Sequence, residues 1–263
     1  MHSIFLPLLT AATLLLAPRA VEFDHSHAGL TAVLKTHLHG ELVDYGKLTA
    51  DSSGLDAYLK ELEGVQPDEF RGWSDDQRFA FWTNAYNAYT LKLITQHYPL
   101  KSIKDIGGMF AKGPWDRAFI PLNKLFAGDK GKALTLNQVE HEILRKDFKD
   151  ARVHAAVNCA SQGCPPLAQE AFVASKLNEQ LEAQVKAWVA SDRNVLDQSA
   201  GKLKLSKIFD WFEEDFIRDA GSVRAWVAKY APDNARAWLS GKAKVKVSHL
   251  DYSWKLNDYR TSN

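Results

Sequence analysis

Apolar positions along the chain fall into a few long helical patterns and two short stretches suited to strands. The longest pattern opens at Ser74, where Ser74 and Gln77 have the spacing of a capping box. It predicts a helix over 74–97, stopped by Pro99 and apolar around most of its circumference, hence central. Thr135 and Gln138 repeat the signature and open a helix over 136–147, with Leu136, Val139, Ile143 and Leu144 on one face. A third helix is expected over 176–191, and Ser206 is placed to cap a fourth that runs through Phe216. Residues 152–158, small and β-branched, have the character of a buried strand, and 245–250 alternate as a strand at a sheet edge would. Helices outweigh strands. The predicted fold is α+β, a helix-rich single domain packed on a small sheet, with a papain-like or transglutaminase-like arrangement left open. No repeat or linker divides the chain, so 21–263 reads as one domain.

The first 20 residues, with an apolar run over 4–16 followed by Ala17-Pro18-Arg19-Ala20, look like a secretory signal and imply a periplasmic or secreted protein. A run of about 13 residues is short for a bilayer span, and nothing later is apolar for long enough to be one. The 33 basic and 32 acidic residues nearly cancel, with no basic block interleaved with aromatics, which argues against nucleic acid as a partner. Eight Trp, eight Tyr and 13 Phe are many for this length. Such rings fill cores or line peptide and carbohydrate clefts, and Trp82 and Trp115 are candidate binding residues of the second kind.

Chemistry concentrates in three places. On the central helix, Asn84 and Asn87 lie three apart on one face. A buried carboxamide left without a partner costs about 1–3 kcal/mol, so each should bind definite groups. Those groups are either backbone of an adjacent loop or an imidazole or oxyanion in a site. On the next helix, Glu140 falls on or beside the apolar face, where it either pairs with Arg145 or Arg152 or holds an imidazole in one tautomer; His141 sits at the edge of that face. The third place is His154-Ala-Ala-Val-Asn-Cys159-Ala-Ser161-Gln-Gly-Cys164-Pro-Pro, which contains both cysteines of the chain. Two cysteines five apart in an exported protein suit a local disulfide. Alternatively Cys159 is a nucleophile, with His154 or His141 as base, Glu140 or Asn84 orienting it, and the Ser161 turn supplying N–H groups. His25 with His27 and His37 with His39 have a spacing that metals can use, but no carboxylate-rich motif accompanies them.

The strings Phe-Trp-Thr-Asn84-Ala-Tyr-Asn87-Ala, Val-Glu140-His141-Glu-Ile-Leu-Arg145 and Arg152-Val-His154-Ala-Ala-Val-Asn-Cys159-Ala-Ser161-Gln-Gly-Cys164-Pro-Pro-Leu resemble the domain of unknown function 547 family, in its exported bacterial form. Val43-Asp44-Tyr45, the segment from Ser206 to Phe216 with Trp211 and Asp215, and Leu250-Asp-Tyr-Ser-Trp254-Lys-Leu-Asn257 extend the likeness over nearly all of the chain after its signal. The resemblance implies a single domain and marks Asn84, Asn87, Glu140, His141, His154, Cys159 and Ser161 as motif positions. It carries no established activity. Cys164 belongs to the motif less strictly, since similar plant-type domains have Ser there, which weakens a purely structural disulfide.

Two functions follow as expectations. One is a thiol-dependent hydrolase or acyl transferase acting on amide or peptide bonds in the cell envelope, without a cofactor. The other is a non-catalytic secreted module that binds a peptide or glycan, with Cys159 and Cys164 in a disulfide. A metal site built from His141, His154, Glu140 and Cys159 is a third use of the same residues.

Overall fold

The computed structural model describes residues 22–107, 112–126, 131–242 and 244–261, so the expected signal at 1–20 lies outside the described residues. The fold is helix-rich α+β with two small sheets. Helix α1 (Ala28–His37) leads through the short ribbon β1 (Leu38–His39) and β2 (Leu42–Val43) to α2 (Tyr45–Ala50), α3 (Ser53–Gly64) and α4 (Pro67–Arg71). The capping box at Ser74 and Gln77 then opens α5 (Asp75–Thr95), buried on all sides from Phe79 to Leu91. The second capping box is also formed, with Thr135 accepting from Gln138 N and Gln138 returning to Thr135 N. The expected helix after it departs from α geometry. Over Gln138–Leu144 it is a π-helix, Arg145 N reaching back five residues to Glu140 O, and it continues as α6 (Arg145–Phe148).

The expected strand over 152–158 is instead one helical turn, α7 (Val153–Ala156), followed by extended Val157. The reason is that this segment is squeezed between two hydrophobic cores. Val153, Ala156 and Val157 pack into the core around α1, α3 and α5. Ala151 and Ala155, one helical turn apart, pack into a second core built on Trp188, Phe209, Phe216 and Trp226. Burial on both faces gives small and branched residues with no polar side, which in sequence has no helical period to read.

Helix α8 (Leu177–Ala190) follows as predicted. The three-stranded sheet has β3 (Val195–Asp197) antiparallel to β4 (Lys202–Leu205), and β5 (Lys246–His249) parallel to β4 at the edge, with Leu203 opposite Val247. Leu203 and Leu205 face the second core. The expected fourth helix is two, α9 (Ile208–Trp211) and α10 (Glu213–Ala220), divided at Phe212, whose backbone leaves the helical region at φ −120°. Helices α11 (Val223–Tyr230) and α12 (Asp233–Ser240) complete the second core. Among the described residues no helix is long and apolar enough to cross a membrane.

His27, ahead of α1, is 1% exposed; its Nδ1 lies 2.7 Å from Tyr58 Oη and its Nε2 is buried without a partner among the described residues. Burial lowers its pKa to about 4. An unfolded histidine titrates near 6.5, so protons then favour the unfolded chain. Stability should therefore fall as pH drops from about 6.5 to about 4, by on the order of 3 kcal/mol from this residue. Urea melts across that range should show the loss in the native chain and a flatter dependence in His27→Gln. Parallel curves for the two proteins would contradict it.

Candidate active site

The cysteine loop is built before it is reactive. Asn87 donates from Nδ2 to Ala156 O (2.9 Å) and accepts from Asn158 N (2.9 Å), clamping the chain on either side of Val157. Asn158 in turn donates to Pro165 O and accepts from Ala160 N (both 2.8 Å), closing the loop on itself. Ala160 is held at φ +59°, a left-handed conformation that costs a non-glycine residue roughly 1–2 kcal/mol. The last segment of the chain caps the loop: Gln162 N bonds Lys255 O (2.8 Å), Gly163 N bonds Ser253 O (2.9 Å), and Asn257 N bonds Ala160 O (3.1 Å). Gly163 lies so close beneath Tyr252 that an added Cβ would come within 2.9 Å of that ring and of Ser253 O.

This scaffold brings the two sulfurs 2.7 Å apart, both as free thiols. Tyr252 Oη stands 3.2 Å from Cys159 Sγ and 3.1 Å from Cys164 Sγ, and Ser161 Oγ lies 3.6 Å from the Cys159 sulfur. The Cys164 thiol, with help from Tyr252 and Ser161 and against burial, moves the Cys159 pKa below the ordinary cysteine value. Burial, and then the neighbouring Cys159 thiolate, push Cys164 well above it. Burial and the two thiols also raise Tyr252, which stays a donor. Cys159 is thus the more readily ionised thiol of the pair, with Cys164 and Tyr252 as its proton-bearing neighbours.

Cys159 opens on a cleft of about 680 Å³, counting its open mouth. Glu140, His141 and His154 line it, with Trp115, Trp211, Phe212, Tyr252 and Trp254 as aromatic walls. Tyr252, Trp254 and Trp211 form a contiguous patch with ring centroids 4.6–5.8 Å apart, and Trp115 meets Trp254 at 5.5 Å. Trp211 is 44% exposed, so the wall reaches the surface.

His154 is stacked on Phe212 (4.3 Å, 14°), and its Nε2 lies 2.7 Å from Asp215 Oδ2. Burial resists ionisation of Asp215, but hydrogen bonds from His154 and Arg145 outweigh it and hold the carboxyl well below the usual range. An ionised carboxylate only accepts, so Nε2 carries the imidazole proton and Nδ1 the lone pair. Burial lowers the His154 pKa, with the Asp215 hydrogen bond opposing, so the ring is neutral near pH 7. His141 Nδ1 lies 3.1 Å from Arg145 Nη1; a guanidinium cannot accept, so Nδ1 is the acceptor of this contact.

Sequence-predicted residues therefore separate into two groups. Cys159, His154, His141, Glu140 and Trp115 share the cleft. Among the described residues the polar groups on the Cys159 side chain are Cys164, Ser161 and Tyr252, not an imidazole. Glu140 binds Tyr86 and influences His154 by its charge, while Arg145 pairs with Asp215 and Arg152 with Asp150; the expected ion pair of Glu140 with either arginine is not formed. Asn87 and Ser161 support the loop, and Asn84 is bound at both ends to Phe172, through Phe172 O (2.7 Å) and Phe172 N (2.9 Å). Trp82 packs against Phe70 and Phe81. Asp215, Tyr252 and Tyr86 stand in the family-like strings but have no role assigned from sequence, because nothing local marks their partners. The paired histidines near the start diverge, His25 packing on Trp73 and His39 on Tyr259. Among the described residues no three His, Cys, Asp or Glu side chains are grouped as metal ligands would be.

These contacts define a class, a helix-rich α+β protein with a paired-thiol centre on the floor of an aromatic cleft. Residues 70–189 match the family described as protein of unknown function, DUF547, and this segment of the chain belongs to it. The match takes in α5, the π-helix, the cysteine loop and nearly all of α8, while the similar strings at 43–45, 206–216 and 250–257 lie beyond it. No curated protein and no solved structure matches the chain.

Proposed function

We propose that the protein is a thiol-dependent hydrolase or acyl transferase acting on amide or peptide bonds of the cell envelope, with Cys159 as nucleophile. The observation that carries this reading is the Cys159 sulfur, held toward its thiolate by Cys164 and Tyr252 at the foot of a cleft that His154 also lines. The thiolate adds to the substrate carbonyl, and Tyr252 and Cys164 are the proton donors nearest the reacting sulfur. His154, neutral and anchored by Asp215, is the base for the water or amine that releases the acyl group. Asp215 is a positioning residue, fixing the tautomer. The envelope setting rests on the apolar run at 4–16.

The aromatic wall supports a second reading, a module that binds a peptide or glycan without reaction. The two part in one experiment under reductant. With a nitrophenyl acyl ester, the first reading expects a one-equivalent burst of nitrophenol and an acyl group on Cys159. Chloroacetamide should modify the same residue with a pH midpoint below that of an ordinary cysteine. Both reactions should vanish in Cys159→Ser. Labelling that survives the substitution, or a midpoint at or above the ordinary value, would overturn the nucleophile.

A further inference from the structure

We propose that Cys159 and Cys164 are also a working dithiol, exchanging with a low-molecular-weight disulfide, with Cys159 as the attacking and Cys164 as the resolving thiol. This goes beyond acyl transfer and does not depend on it, although both use Cys159.

Three observations carry the inference. First, the sulfurs stand 2.7 Å apart, and a disulfide is about 2.05 Å long, so bond formation needs a movement of well under 1 Å. Second, the loop holding them is already ordered: Asn158 closes it, the 253–257 segment caps it, and Cys159 N donates to Cys164 Sγ at 3.2 Å. Little chain entropy remains to be lost on closing the ring. Third, the two thiols are unequal in the sense that an exchange reaction requires. Cys159 is half-buried, whereas Cys164, which lines the same cleft beside it, is only 5% exposed. Cys159 is the more accessible of the two to an external disulfide, and Cys164 stands next to it, placed to resolve the mixed disulfide. The contacts agree in direction, since they favour ionisation of Cys159 over that of Cys164.

The steps balance. The Cys159 thiolate attacks one sulfur of R–S–S–R, the S–S bond breaks, and one RS⁻ leaves with its electron pair and takes a proton from solvent. Cys164 then attacks Cys159 Sγ, expelling the second RS⁻ with its electron pair, and the proton that Cys164 loses passes to that leaving thiolate through solvent. Two protein thiols are oxidised to one disulfide, and the external disulfide is reduced to two thiols. Tyr252, in reach of both sulfurs, can donate to whichever carries the negative charge.

The test uses the full chain equilibrated with graded ratios of oxidised to reduced glutathione, quenched in acid and read by intact mass and alkylation. The expected product is protein lighter by two hydrogens, with both cysteines blocked and no lasting glutathione adduct, returned to the dithiol by reduced glutathione. Cys164→Ser should instead accumulate the mixed disulfide on Cys159. The proposal is overturned if both thiols of the native chain stay free at every ratio, or if glutathione remains on Cys159 without ring closure. It is overturned too if Cys159→Ser takes glutathione on Cys164 as readily as the native chain reacts. Ester acylation under reductant reads the acyl reaction separately, so failure of either leaves the other standing.

Discussion

Asp215→Ala should destabilise the protein by about 3 kcal/mol, the low end of what breaking a buried ion pair costs. Its carboxylate receives His154 and Arg145 on Oδ2, at 2.7 and 2.6 Å, and Arg218 on Oδ1 at 2.8 Å. Removing it leaves Arg145 facing only His141 and the Phe212 ring, and leaves the buried imidazole unpartnered at Nε2. The cost is at the low end because the arginine side chains keep 23% and 35% of their exposure. The pH dependence has a definite sign. The folded carboxyl titrates below its unfolded value, so the stabilisation is complete above about pH 5 and is lost as pH falls further. Asp215→Ala should thus cost most at pH 7 and only somewhat less at pH 3, where the folded carboxyl is still ionised, measured by urea melts at both. Asp215→Asn keeps the volume but can steer His154 into the other tautomer, and ester turnover should fall by about 10²–10⁴-fold with Cys159 alkylation little changed. A variant as stable as the native chain at pH 7 would mean that the cluster is not held by this carboxylate.

Asn87→Ala should cost about 2–4 kcal/mol, because it strands two buried backbone groups, Ala156 O and Asn158 N, at about 1–3 kcal/mol each. The informative comparison is Asn84→Ala. That side chain also bridges a buried N–H and C=O, both of Phe172, so the loss of stability should be similar. The two should differ in chemistry. Asn87 grips the chain immediately before Cys159, and its loss should slow alkylation of the cysteine by about tenfold or more, since a displacement near 1 Å can cost far more than that in rate. Asn84 anchors a different loop, and alkylation in that variant should match the native chain. Denaturant melts and labelling rates at one pH decide the matter; equal labelling in both variants would remove Asn87 from the support of the site.

How far the chain could be read in advance depended on how local each determinant is. The capping boxes at Ser74 and Thr135 are contacts between residues three apart, and both helix starts were legible. The alternation before Leu250 marked β5 for the same reason. The turn at Val153 was hidden because Ala151 and Ala155 serve one core and Val153 and Ala156 another, which erases any polar face. The π-helix has no residue signature, yet it sets how Glu140 and His141 come to line one cleft although they are adjacent in sequence. Phe212 falls inside the one helix expected through Phe216; it instead separates α9 from α10, and its ring stacks on His154. The motif strings contained Cys159, His154, Glu140 and Asp215, but not the pairings made at long range. Asp215 lies 61 residues beyond His154, and Tyr252 lies 93 beyond Cys159. Such pairings exist only once the chain has closed on itself.

The cleft has two parental stretches. Its floor, with both sulfurs, His154 and Glu140, comes from the family-matched segment, whereas Trp211, Phe212, Tyr252 and Trp254 come from chain beyond residue 189. The walls are therefore drawn mainly from chain beyond the family-matched segment, with Trp115 as the exception. Tyr252 touches both sulfurs and the 253–257 segment beside it caps the cysteine loop, so chain beyond residue 189 shapes the sulfur centre as well as the wall.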